Sequence, residues 1–548
     1  MHVLSAAEMQ ACDRATSERF AVPSIDLMRA AASAVAAFIR EYFSAARRIT
    51  VLCGRGNNGG DGMMTAWLLS EAGLDVTTLL LGTPDKITGD AAIAWSELTQ
   101  PVHGKVHVIA SAQDLEKYND ALAADLIVDA LLGTGFKPPM KGLPLAALEW
   151  LRASTAPILA VDLPSGWPAD ETSASFSSPV FPADAVVTFT APKPAHVFGQ
   201  LTRFWHQPVV VAPIGSPAEA VVSALNLEWA GSALDLAQTP RPAAANKGNF
   251  GHVLVVGGTF GAAGGKAGAP AMAALAALRA GAGLVTAAVP APALPVVAAI
   301  APELMTWPLE ATSEGYIAAK NAEPKALEPL LAGKTVLTLG PGLGQSAETA
   351  KFAAGLLSAS KIPAVLDADA LNILATKPVL LAKLAKGRTL VLTPHPGEMA
   401  RLAATTVAKV QQNRLETARE FACRTGVTLV LKGARTLVAH PNGRVAVNTT
   451  GNPGMAKGGS GDLLTGLVAG LLAQYPADPV RAVEAAVYLH GLAADMAAED
   501  FGEHALLATD ALAFLPRAFR SRAHRLPTGG RGGYLWLQGI ACATRNRV

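Results

Sequence analysis

Short runs of consecutive apolar residues recur along the first part of the chain, and each ends in a turn that is followed by a longer mixed segment. Residues 47–54, RRITVLCG, predict a buried strand, and residues 63–73, MMTAWLLSEAG, predict the helix behind it. The runs DVTTLLLG, DLIVDALLG and APILAVDLPSG repeat the pattern. Uniformly apolar strands that alternate with helices are typical of a parallel sheet covered on both faces. We therefore predict a three-layer α/β domain over residues 1–213.

A second series of the same kind follows a stretch of different composition. Residues 214–245 are rich in alanine and proline, and we expect them to form a linker. From residue 246 onward, runs such as HVLVVGG, TVLTLGPGLG and TLVLTPHPGE predict another α/β domain, which we place at 246–516. Residues 517–548 are rich in arginine and contain no acidic residue. We expect them to be a poorly ordered tail, with a functional basic patch as the alternative.

Charge and cysteine content argue against several classes of protein. The 548 residues include 45 Lys and Arg and 43 Asp and Glu, a formal net charge of +2, so we expect no nucleic-acid partner. Cys12, Cys53, Cys423 and Cys542 are far apart and form no zinc-type pair. The N-terminus has no apolar signal segment, and prolines interrupt the long uncharged stretch at 281–302. We therefore expect a cytoplasmic protein without a membrane partner.

The densest local signal of the first domain is GRGNNGGDG at residues 54–62, between a predicted strand and a predicted helix. Glycines allow the backbone to approach a ligand closely, and amides at a helix start favour anions such as phosphate. Asn57, Asn58 and Asp61 add side-chain oxygens. The alternative is a plain strand-to-helix turn, but such a turn needs fewer glycines than are present here.

Two other predicted strands of this domain end in aspartate. Asp129 ends one and Asp162 ends the next, and the carboxyl ends of parallel strands are where ligands bind. An aspartate there is costly to bury unless it is paired or binds a cation. Asn58, Asp129 and Ser165 would supply hard oxygen ligands for one cation, and Asp162 with Lys193 would be an acid/base pair. For each aspartate taken alone, a helix N-cap is the alternative.

In their order, the motifs GRGNNGGDG, DALLGTGF, VDLPSG and FTAPKP resemble the YjeF N-terminal domain, the NAD(P)H-hydrate epimerase family, over residues 1–213. The resemblance implies a Rossmann-like fold, K⁺ held by Asn58, Asp129 and Ser165, and a hydrated nicotinamide nucleotide whose reacting end contacts Asp162. The substrate-binding residues that it implies are Asn57, Asn58, Gly59, Gly60, Asp61, Gly133, Thr134, Gly135, Phe136, Lys137, Pro138, Pro139 and Asp162. Relatives of this domain also serve as binding modules without turnover, and that alternative stays open.

The densest signal of the second domain lies at residues 452–466, NPGMAKGGSGDLLTG. Gly458, Gly459, Ser460 and Gly461 precede a predicted helix that starts near Asp462. Consecutive amides at a helix start can stabilise the charge on a phosphoryl group in transfer, and Asp462 could accept a proton from a hydroxyl. The alternative is a helix cap behind a glycine loop, which accounts for Asp462 but not for four small residues in a row.

Other strand ends of this domain also fit a nucleotide enzyme. LKGARTLV offers the positive charges of Lys432 and Arg435, LGPGLG allows close backbone approach, and TPHPGE brings His395 and Glu398 together. No GxxxxGK[ST] sequence is present, and residues 257–270 lack the spacing of a dinucleotide fingerprint. We therefore predict neither a P-loop nor a Rossmann NAD site in this domain.

The motifs NKGNFGHVLVVGG, ALRAGAGLVT, GPGLG, DADALN, TPHPGE, KGART and GNPGMAKGGSGD resemble the YjeF C-terminal family over residues 241–516. These are the ADP/ATP-dependent NAD(P)H-hydrate dehydratases of ribokinase-like α/β fold. The adenine-nucleotide contacts that the resemblance implies are Lys432, Gly433, Ala434, Arg435, Thr436 and Gly461. The hydrate contacts that it implies are Ala269, Gly342, His395 and the catalytic Asp462. ADP with Mg²⁺ is the expected phosphoryl donor.

Together, the two resemblances predict a bifunctional enzyme that epimerises the R and S hydrates of NADH and NADPH and dehydrates the S hydrate, with release of AMP and phosphate. Asp162, Lys193 and Asp462 are its predicted catalytic residues. The alternative is a ribokinase-like kinase for a small vitamin precursor, with a non-catalytic binding module in front. We also expect a homo-oligomer. The residues themselves separate neither ADP from ATP nor the NADH hydrate from the NADPH hydrate.

Overall fold

The computed structural model describes residues 1–100, 105–262, 264–521, 524–525 and 533–539. The chain divides into two compact units. The first comprises Met1–Leu227 and the described residues after Ser521, and the second comprises Glu228–Ser521. Each unit has a sheet and helices of its own, as expected for a chain too long to form a single core.

The first unit alternates helices and strands in the order that its apolar runs predict. The strands are β1 (Arg48–Cys53), β2 (Asp75–Leu81), β3 (Lys105–Ile109), β4 (Leu126–Ala130), β5 (Ile158–Val161), β6 (Ala185–Phe189) and β7 (Val209–Ala212). The helices are α1 (Ala6–Arg19), α2 (Ser24–Tyr42), α3 (Asn57–Glu71), α4 (Asp90–Leu98), α5 (Ala112–Glu116), α6 (Leu143–Leu151) and α7 (Pro194–Phe198). The helix predicted at 63–73 is α3, which begins earlier, inside the GRGNNGGDG run.

These strands form a parallel sheet in the order β7-β6-β5-β4-β1-β2-β3. Strand β1 lies in its interior, where Cys53 is paired with Leu80 of β2 and with Ala130 of β4. Because the strands run in the same direction, the carboxyl ends of β1, β4, β5 and β6 meet at one edge of the sheet.

Helices cover both faces of this sheet because successive side chains of a strand point to opposite faces. Val51 of β1 lies in one core cluster with Val35 of α2 and Met63 of α3. Its neighbour Leu52 lies in a second cluster with Leu148 of α6. All five side chains are buried, so the predicted three-layer α/β arrangement of this part of the chain is confirmed.

The second unit is also an α/β structure, with different connections. Its described strands are β8 (Leu227–Trp229), β9 (His252–Val256), β10 (Phe260–Gly261), β11 (Gly264–Gly265), β12 (Leu284–Pro290), β13 (Met305–Leu309), β14 (Val336–Leu339), β15 (Ala364–Leu366), β16 (Leu390–Leu392), β17 (Thr428–Leu431), β18 (Leu437–Ala439) and β19 (Val445–Val447). Its described helices are α8 (Leu234–Ala237), α9 (Gly268–Ala280), α10 (Leu294–Ala298), α11 (Pro324–Leu331), α12 (Ala347–Ala359), α13 (Ala368–Ala375), α14 (Pro378–Ala385), α15 (Pro396–Leu402), α16 (Val407–Gln412), α17 (Arg414–Thr425), α18 (Ser460–Gln474), α19 (Pro479–Ala505) and α20 (Ala508–Arg520).

The main sheet of the second unit has the strand order β13-β12-β9-β14-β15-β16-β17-β18-β19-β8. Along the sheet, the first seven strands, from β13 to β17, are parallel, whereas β18 is antiparallel to both of its neighbours. Strands β10 and β11 pair separately as a short antiparallel ribbon. The carboxyl ends of β9, β14, β15, β16 and β17 therefore meet at one edge, as in the first unit. Among the described residues, no helix combines the length and the apolar composition needed to cross a bilayer.

Two glycines allow α18 to pack tightly on α9. A Cβ on Gly466 would lie 2.0 Å from the carbonyl oxygen of Ala273, and one on Gly470 would lie 2.7 Å from that of Ala277. A real Cβ does not approach backbone so closely, so only glycine permits this contact. The contact holds α18, and with it Asp462 in the first turn of that helix, in a defined position.

The structure differs from the predicted linker at residues 214–245, because these residues belong to the two compact units. Strand β8 forms one edge of the second sheet. Trp229 is fully buried, and its indole Nε1 donates a hydrogen bond to Thr449 Oγ1 at 2.9 Å. The alanine and proline content indicated an extended connection, but burial of this large side chain makes the segment part of the fold. The domain limits predicted at 213 and 246 are replaced by one division, after residue 227.

The structure also corrects the predicted tail at 517–548. Helix α20 extends to Arg520, and strands β20 (His524–Arg525) and β21 (Tyr534–Gln538) come after it. Strand β21 pairs antiparallel with β7 and so extends the sheet of the first unit. The apolar run YLWLQ supplies the burial that the arginine-rich composition concealed, and Trp536 is only 5% exposed.

The rest of this tail, at 522–523, 526–532 and 540–548, lies outside the described residues. The prediction of poor order and the alternative of a basic patch therefore stay untested there.

We expect Trp536→Ala to destabilise the first unit by about 3 kcal/mol, because removal of a large buried side chain leaves a cavity. Trp536→Phe should retain most of the stability, since the indole nitrogen has no hydrogen-bond partner among the described residues. Denaturant unfolding followed by circular dichroism measures both changes. The matched control is Phe204→Ala, because Phe204 is 57% exposed, and it should change stability by less than about 0.5 kcal/mol. Equal effects of the two alanine variants would contradict a structural role of β21.

Candidate functional site

A cavity of about 1160 Å³ opens in the first unit beside the edge where β1, β4, β5 and β6 end. The residues that follow these strands form its wall together with the start of α3 and part of α1. The sequence-predicted residues that line it are Asn57, Asn58, Asp61, Gly133, Thr134, Gly135, Phe136, Asp162 and Lys193. The cavity is ample for a nucleotide-sized ligand.

The glycines of the GRGNNGGDG run also serve close packing of α3 on the sheet. A Cβ on Gly59 would lie 1.9 Å from the Gly54 carbonyl oxygen. One on Gly62 would lie 2.5 Å from the Cβ of Ala130 at the end of β4. Side chains at these positions would push the helix away from the strands. The density of glycine therefore has a packing cause in addition to the predicted approach of a ligand.

Several predicted residues lie off the wall of this cavity. The predicted substrate residues that do not line it are Gly59, Gly60, Lys137, Pro138 and Pro139, and the predicted cation ligands that do not are Asp129 and Ser165. A Cβ on Gly60 would lie 2.6 Å from the terminal methyl of Met28, so this glycine faces α2. The prediction missed this because it treated the glycine run as a loop, whereas α3 already begins at Asn57.

Three buried polar side chains form a hydrogen-bonded group at the ends of β5 and β6. The Lys193 ammonium donates to Asp162 Oδ1 and to Thr188 Oγ1, both at 2.8 Å. The Thr188 hydroxyl donates to Asp162 Oδ1 at 2.7 Å. Burial acts to raise the pKa of Asp162, but the Lys193 ammonium and these hydrogen bonds outweigh it and hold that pKa below its ordinary value. Asp162 is therefore ionised at neutral pH.

His196 holds the backbone around this ion pair. Its Nδ1 accepts from the Lys193 amide at 3.0 Å, and its Nε2 faces the Asp162 carbonyl oxygen at 2.7 Å. Because an amide can only donate and a carbonyl can only accept, the imidazole proton lies on Nε2. Burial lowers the pKa of His196 to about 4, so the ring is neutral. Asp162 has a φ of 66°, which is uncommon for a residue other than glycine, and the His196 hydrogen bond helps to hold it.

Asp129 is buried at the end of β4 and forms hydrogen bonds with Ser165. The Ser165 hydroxyl and backbone amide donate to its carboxyl oxygens at 2.6 Å and 2.7 Å. Burial raises the pKa of Asp129 to about 6, although these hydrogen bonds act to lower it. Asn58 lies near the same strand end, since a Cβ on Gly133 would be 3.1 Å from its Cβ. Within the described part of the chain, both polar atoms of the Asn58 amide are buried without a hydrogen-bond partner.

Two more carboxyl groups face the cavity of the first unit. Asp61 lies on α3, and burial together with the Asp162 and Asp13 carboxyls raises its pKa well above the ordinary value. Asp13 of α1 lines the same cavity. Burial raises the pKa of Asp13 as well, although Lys193 acts to lower it. The Lys193 ammonium thus interacts with three carboxyls, and the pKa is raised in two of them, Asp13 and Asp61.

In the second unit, a cavity of about 440 Å³ lies where α13, α15 and α18 begin. Its wall is formed by Gly265, Lys266, Gly268, Ala269, Gly342, Ala368, Asp369, Asn372, Glu398 and Asp462. Three predicted residues, Ala269, Gly342 and Asp462, are brought together there from distant motifs. His395, Gly461 and residues 432–436 do not line this cavity.

The turn before α18 has the conformation that its glycine run favours. Gly459 has a φ of 94°, in the left-handed region, and caps the helix that begins at Ser460. Asp462 lies in the first turn of that helix. Burial and the neighbouring Asp367 carboxylate raise the pKa of Asp462 to about 6, although Lys432 acts to lower it. A carboxyl that titrates near neutrality is suited to accepting a proton.

An ion pair close to Asp462 repeats the arrangement of the first unit. Lys432 Nζ donates to Asp367 Oδ1 at 2.8 Å, and Thr465 Oγ1 donates to Asp367 Oδ2 at 2.8 Å. Asp367 follows β15, and Thr465 lies one turn beyond Asp462 on α18. A Cβ on Gly461 would lie 3.3 Å from Lys432 Nζ, so glycine at this position leaves room for the ammonium.

His395 and Glu398 form a capping box at the start of α15. The His395 amide donates to Glu398 Oε2 at 2.8 Å, and the Gly397 amide donates to His395 Nδ1 at 3.0 Å. Burial lowers the pKa of His395, and the Lys432 ammonium acts in the same direction. Burial raises the pKa of Glu398, whose Oε2 lies 4.0 Å from Lys432 Nζ. A helix cap therefore accounts for the position of His395, while Glu398 reaches the cavity wall.

The turn at residues 432–436 directs its arginine into the protein. Arg435 has a φ of 54°, and its guanidinium donates to the Thr449 carbonyl oxygen at 3.0 Å. Burial lowers the pKa of Arg435 to about 10, so it stays charged. Gly433 and Ala434 are exposed, so their backbone is the part of this turn that is open to a ligand.

Comparison with known proteins decides the family. A family profile described as YjeF-related protein N-terminus matches residues 24–195, and one described as NAD(P)H-hydrate dehydratase matches residues 253–517. A protein of Moorella thermoacetica described as bifunctional NAD(P)H-hydrate repair enzyme Nnr is 42% identical over 96% of this chain and 98% of its own length. The chain belongs to the bifunctional NAD(P)H-hydrate repair enzyme family. The membership that the sequence motifs predicted is thereby confirmed.

Other members of the NAD(P)H-hydrate repair family are similar over nearly the whole chain. A protein of Coxiella burnetii with the same description is 37% identical and covers 90% of this chain and 95% of its own length. One of Escherichia coli is 34% identical, with 92% and 91% covered. A solved structure described as an ADP/ATP-dependent NAD(P)H-hydrate dehydratase from Bacillus subtilis, co-crystallized with ATP/Mg²⁺, is 31% identical. It covers 54% of this chain and 99% of that chain, with a TM-score of 0.45.

The sequence analysis missed several groups that the structure places at the two sites of this family member. Thr188 and Thr465 each bond to a buried aspartate of an ion pair. The signal for Thr188 was a polar residue in the otherwise apolar run AVVTF, and that for Thr465 was its spacing of three from Asp462 on one helix. Asp13 lies in no glycine-rich motif, and only the packing of α1 brings it to the cavity.

We expect Asp462 of the ligand-free protein to titrate with a pKa of about 6. Asp367→Asn should lower that pKa, because it removes the neighbouring negative charge that helps to raise it. NMR titration of the carboxyl carbons measures the shift, with the resonance assigned by its loss in Asp462→Asn. Asp500→Asn, at an exposed position of α19, is the control and should leave the pKa of Asp462 unchanged. An ordinary aspartate pKa in the unsubstituted protein would contradict this electrostatic explanation.

Proposed function

We propose that this chain repairs hydrated NADH and NADPH, with one reaction in each unit. The first unit interconverts the R and S hydrates, and the second dehydrates the S hydrate at the expense of ADP. One observation carries the proposal. In each unit of this family member, a cavity is lined by ionisable carboxyls and lies next to an Asp–Lys pair whose aspartate is buried. The partners of the protein are therefore small molecules.

The chemistry of the hydrate defines what the first unit has to do. Addition of water to the enamine double bond of dihydronicotinamide leaves a hydroxyl on the carbon bonded to the ring nitrogen. Loss of that hydroxyl as water, assisted by the nitrogen lone pair, gives a planar carbon, and return of water to the other face inverts it. The departing hydroxyl needs a proton, and the returning water has to give one up. Asp162, ionised and held by Lys193, is suited to accept the proton of the returning water.

The residues at the end of β4 fit a bound K⁺. The buried amide oxygen of Asn58 has no hydrogen-bond partner among the described residues, and a bound cation would coordinate it. Asp129 and Ser165 offer a carboxylate and a hydroxyl oxygen, the hard donors that such a cation prefers. When bound, K⁺ would supply positive charge that favours the ionised form of Asp129. Substrate contacts are proposed for the residues of this wall that the resemblance names.

The second unit has to convert the hydrate hydroxyl into a good leaving group. Asp462 accepts the hydroxyl proton while the hydroxyl oxygen bonds to the terminal phosphorus of ADP and the bond from that phosphorus to AMP breaks. The amides of Ser460 and Gly461 at the start of α18 stabilise the charge on the group in transfer. Loss of phosphate, with loss of a proton from the adjacent ring carbon, then restores the double bond.

In the second unit, residues near the start of α18 offer contacts for the nucleotide and the hydrate. We assign the nucleotide to Gly461 and to the turn at 432–436, and the hydrate to Ala269, Gly342, His395 and Asp462. Within the described ranges, no three His, Cys, Asp or Glu side chains gather as a metal site. Mg²⁺ would therefore be held chiefly by the phosphates of the nucleotide, where it supplies positive charge that shields them.

Several expectations of the sequence analysis stay predictions. They are the cytoplasmic location, the homo-oligomeric state and the absence of nucleic-acid and membrane partners.

We expect the full-length protein, given hydrated NADH, ADP and Mg²⁺, to restore dihydronicotinamide absorbance and to release phosphate. Asp462→Asn should slow this reaction by about 100-fold or more, because the proton acceptor is lost. For the same reason the rate should fall as the pH drops below about 6, where Asp462 becomes protonated. Absorbance and phosphate are measured together, with Asp500→Asn as the matched control.

The same assay distinguishes a small-molecule kinase. A kinase would accumulate a stable phosphorylated product without return of dihydronicotinamide absorbance. Full activity of Asp462→Asn would exclude the proposed role of Asp462 as the proton acceptor.

We expect the full-length protein without ADP to equilibrate the two hydrates of NADH faster than they equilibrate spontaneously. Asp162→Asn should slow this by about 100-fold or more, and Asn58→Ala should reduce the gain from KCl over choline chloride, because it removes a cation ligand. Chromatographic separation of the epimers over time measures the rate. Asp26→Asn, at an exposed position of α2, is the control and should leave the rate unchanged. No acceleration by the unsubstituted protein would make the first unit a binding module without turnover.

A further inference from the structure

Helix α1 contributes an acidic side chain to the cavity of the first unit from outside the matched family segment. The N-terminal family profile begins at residue 24, whereas Asp13 of α1 lines the cavity. The helix is well formed, since it begins with a capping box in which the Glu8 amide donates to Ser5 Oγ and the Ser5 amide donates to Glu8 Oε2. Asp13 therefore lies on a rigid element of the wall.

The packing of α1 fixes Asp13 next to the loop that carries Lys193. The Leu4 amide donates to the Pro192 carbonyl oxygen at 2.9 Å, directly before Lys193 in the chain. Cys12 lies in a buried cluster with Ala191 of the same loop. Because residues on both sides of this contact are buried, the position of the Asp13 carboxyl relative to this loop is defined by packing.

The surroundings of the Asp13 side chain differ from those of a structural aspartate. Its Oδ1 atom is buried, and within the described part of the chain it has no hydrogen-bond partner. A buried polar atom without a partner costs free energy, which folding alone gives no reason to retain. The same carboxyl interacts electrostatically with Lys193, Asp162 and Asp61. Its surroundings therefore fit a group that acts on a ligand in the cavity.

We propose that Asp13 is a second catalytic acid/base of the epimerase reaction, which acts on the hydroxyl of the hydrate while Asp162 acts on the returning water. This inference rests on the proposed epimerase function. Inversion through a planar carbon requires proton transfer on both of its faces, and a single carboxylate cannot serve both at once. Asp13 supplies the second proton-transfer group, which the Asp162–Lys193 pair does not provide.

The proposed steps conserve protons and electron pairs. The Asp13 carboxyl donates its proton to the hydroxyl, the C–O bond breaks with release of water, and the nitrogen lone pair forms a C=N bond. A water then adds to the other face, the C=N pair returns to nitrogen, and Asp162 takes the proton of that water. Asp162 then releases its proton to water and Asp13 takes one up from water, which restores the starting state. In the opposite direction the two aspartates exchange roles.

The charges around Asp13 set the expected pH dependence. The titratable groups that face it are Cys12 on its own helix, Asp61 on α3, Asp162 after β5 and Lys193 before α7. Burial favours the protonated acid, and Lys193 opposes this. As the pH rises the acid form is lost, so the rate of the unsubstituted protein should fall on its alkaline limb.

The experiment uses the full-length protein without ADP and one purified epimer of hydrated NADH. We expect Asp13→Asn to lower kcat for epimerisation by about 100-fold or more while KM changes by less than about three-fold, because proton transfer is lost and shape is retained. The alkaline limb should disappear in this variant. Asp13→Glu should recover part of kcat, and Asp26→Asn should match the unsubstituted protein. Thermal unfolding of each variant checks that the fold is retained.

The outcomes separate this inference from the function on which it rests. If the unsubstituted protein does not accelerate epimerisation, the proposed function fails, and the inference fails with it. If it does, and Asp13→Asn is equally fast or differs only in KM, the function stands and the catalytic role of Asp13 is wrong. Loss of kcat in Asp13→Asn with an unchanged pH profile would likewise overturn the acid/base role.

Discussion

In both units, the strands of a parallel sheet end at one edge, and this constraint brings the reactive side chains together. Asp162 follows β5 and Lys193 follows β6, while in the second unit Asp367 follows β15 and Lys432 follows β17. No two of these residues are neighbours in the sequence. A parallel sheet can bring such residues together because each crossover returns the chain to the edge where the strands begin. Successive strands therefore present their carboxyl ends on one side of the sheet. Loss of that alignment would separate the aspartate from the lysine in both pairs.

The two units use the same electrostatic arrangement. In each, a buried aspartate accepts hydrogen bonds from one lysine and one threonine, which compensates for the cost of burying its charge. Carboxyls next to this ion pair then have raised pKa values because they are themselves buried, Asp61 in the first unit and Asp462 in the second. A raised pKa brings a buried carboxyl closer to the range in which it can exchange a proton with a ligand. Similar chemistry thus arises on two sheets of different strand order.

The sequence predicted the parts of the fold that depend on local pattern. Apolar runs located most strands, and the glycine run before Asp462 indicated the turn that Gly459 makes with its positive φ. Predictions that relied on composition failed where a few large apolar side chains outweigh their surroundings. Trp229 makes a strand of the expected linker, and Trp536 does the same in the expected tail. Composition averages over a segment, whereas burial of one tryptophan is enough to add a strand to an existing sheet edge.

By itself, the sequence determined the family, the α/β class of both units and the motifs that end their strands, because these depend on residue type and spacing along the chain. Only the tertiary structure decided which of those residues share a cavity and in which state of protonation. Gly59 and Gly60 turned out to face the protein, His395 to cap a helix, and Asp13 to enter the cavity from a helix without any motif. Helix packing sets these positions and burial sets the charges, and both depend on contacts between residues far apart in the chain.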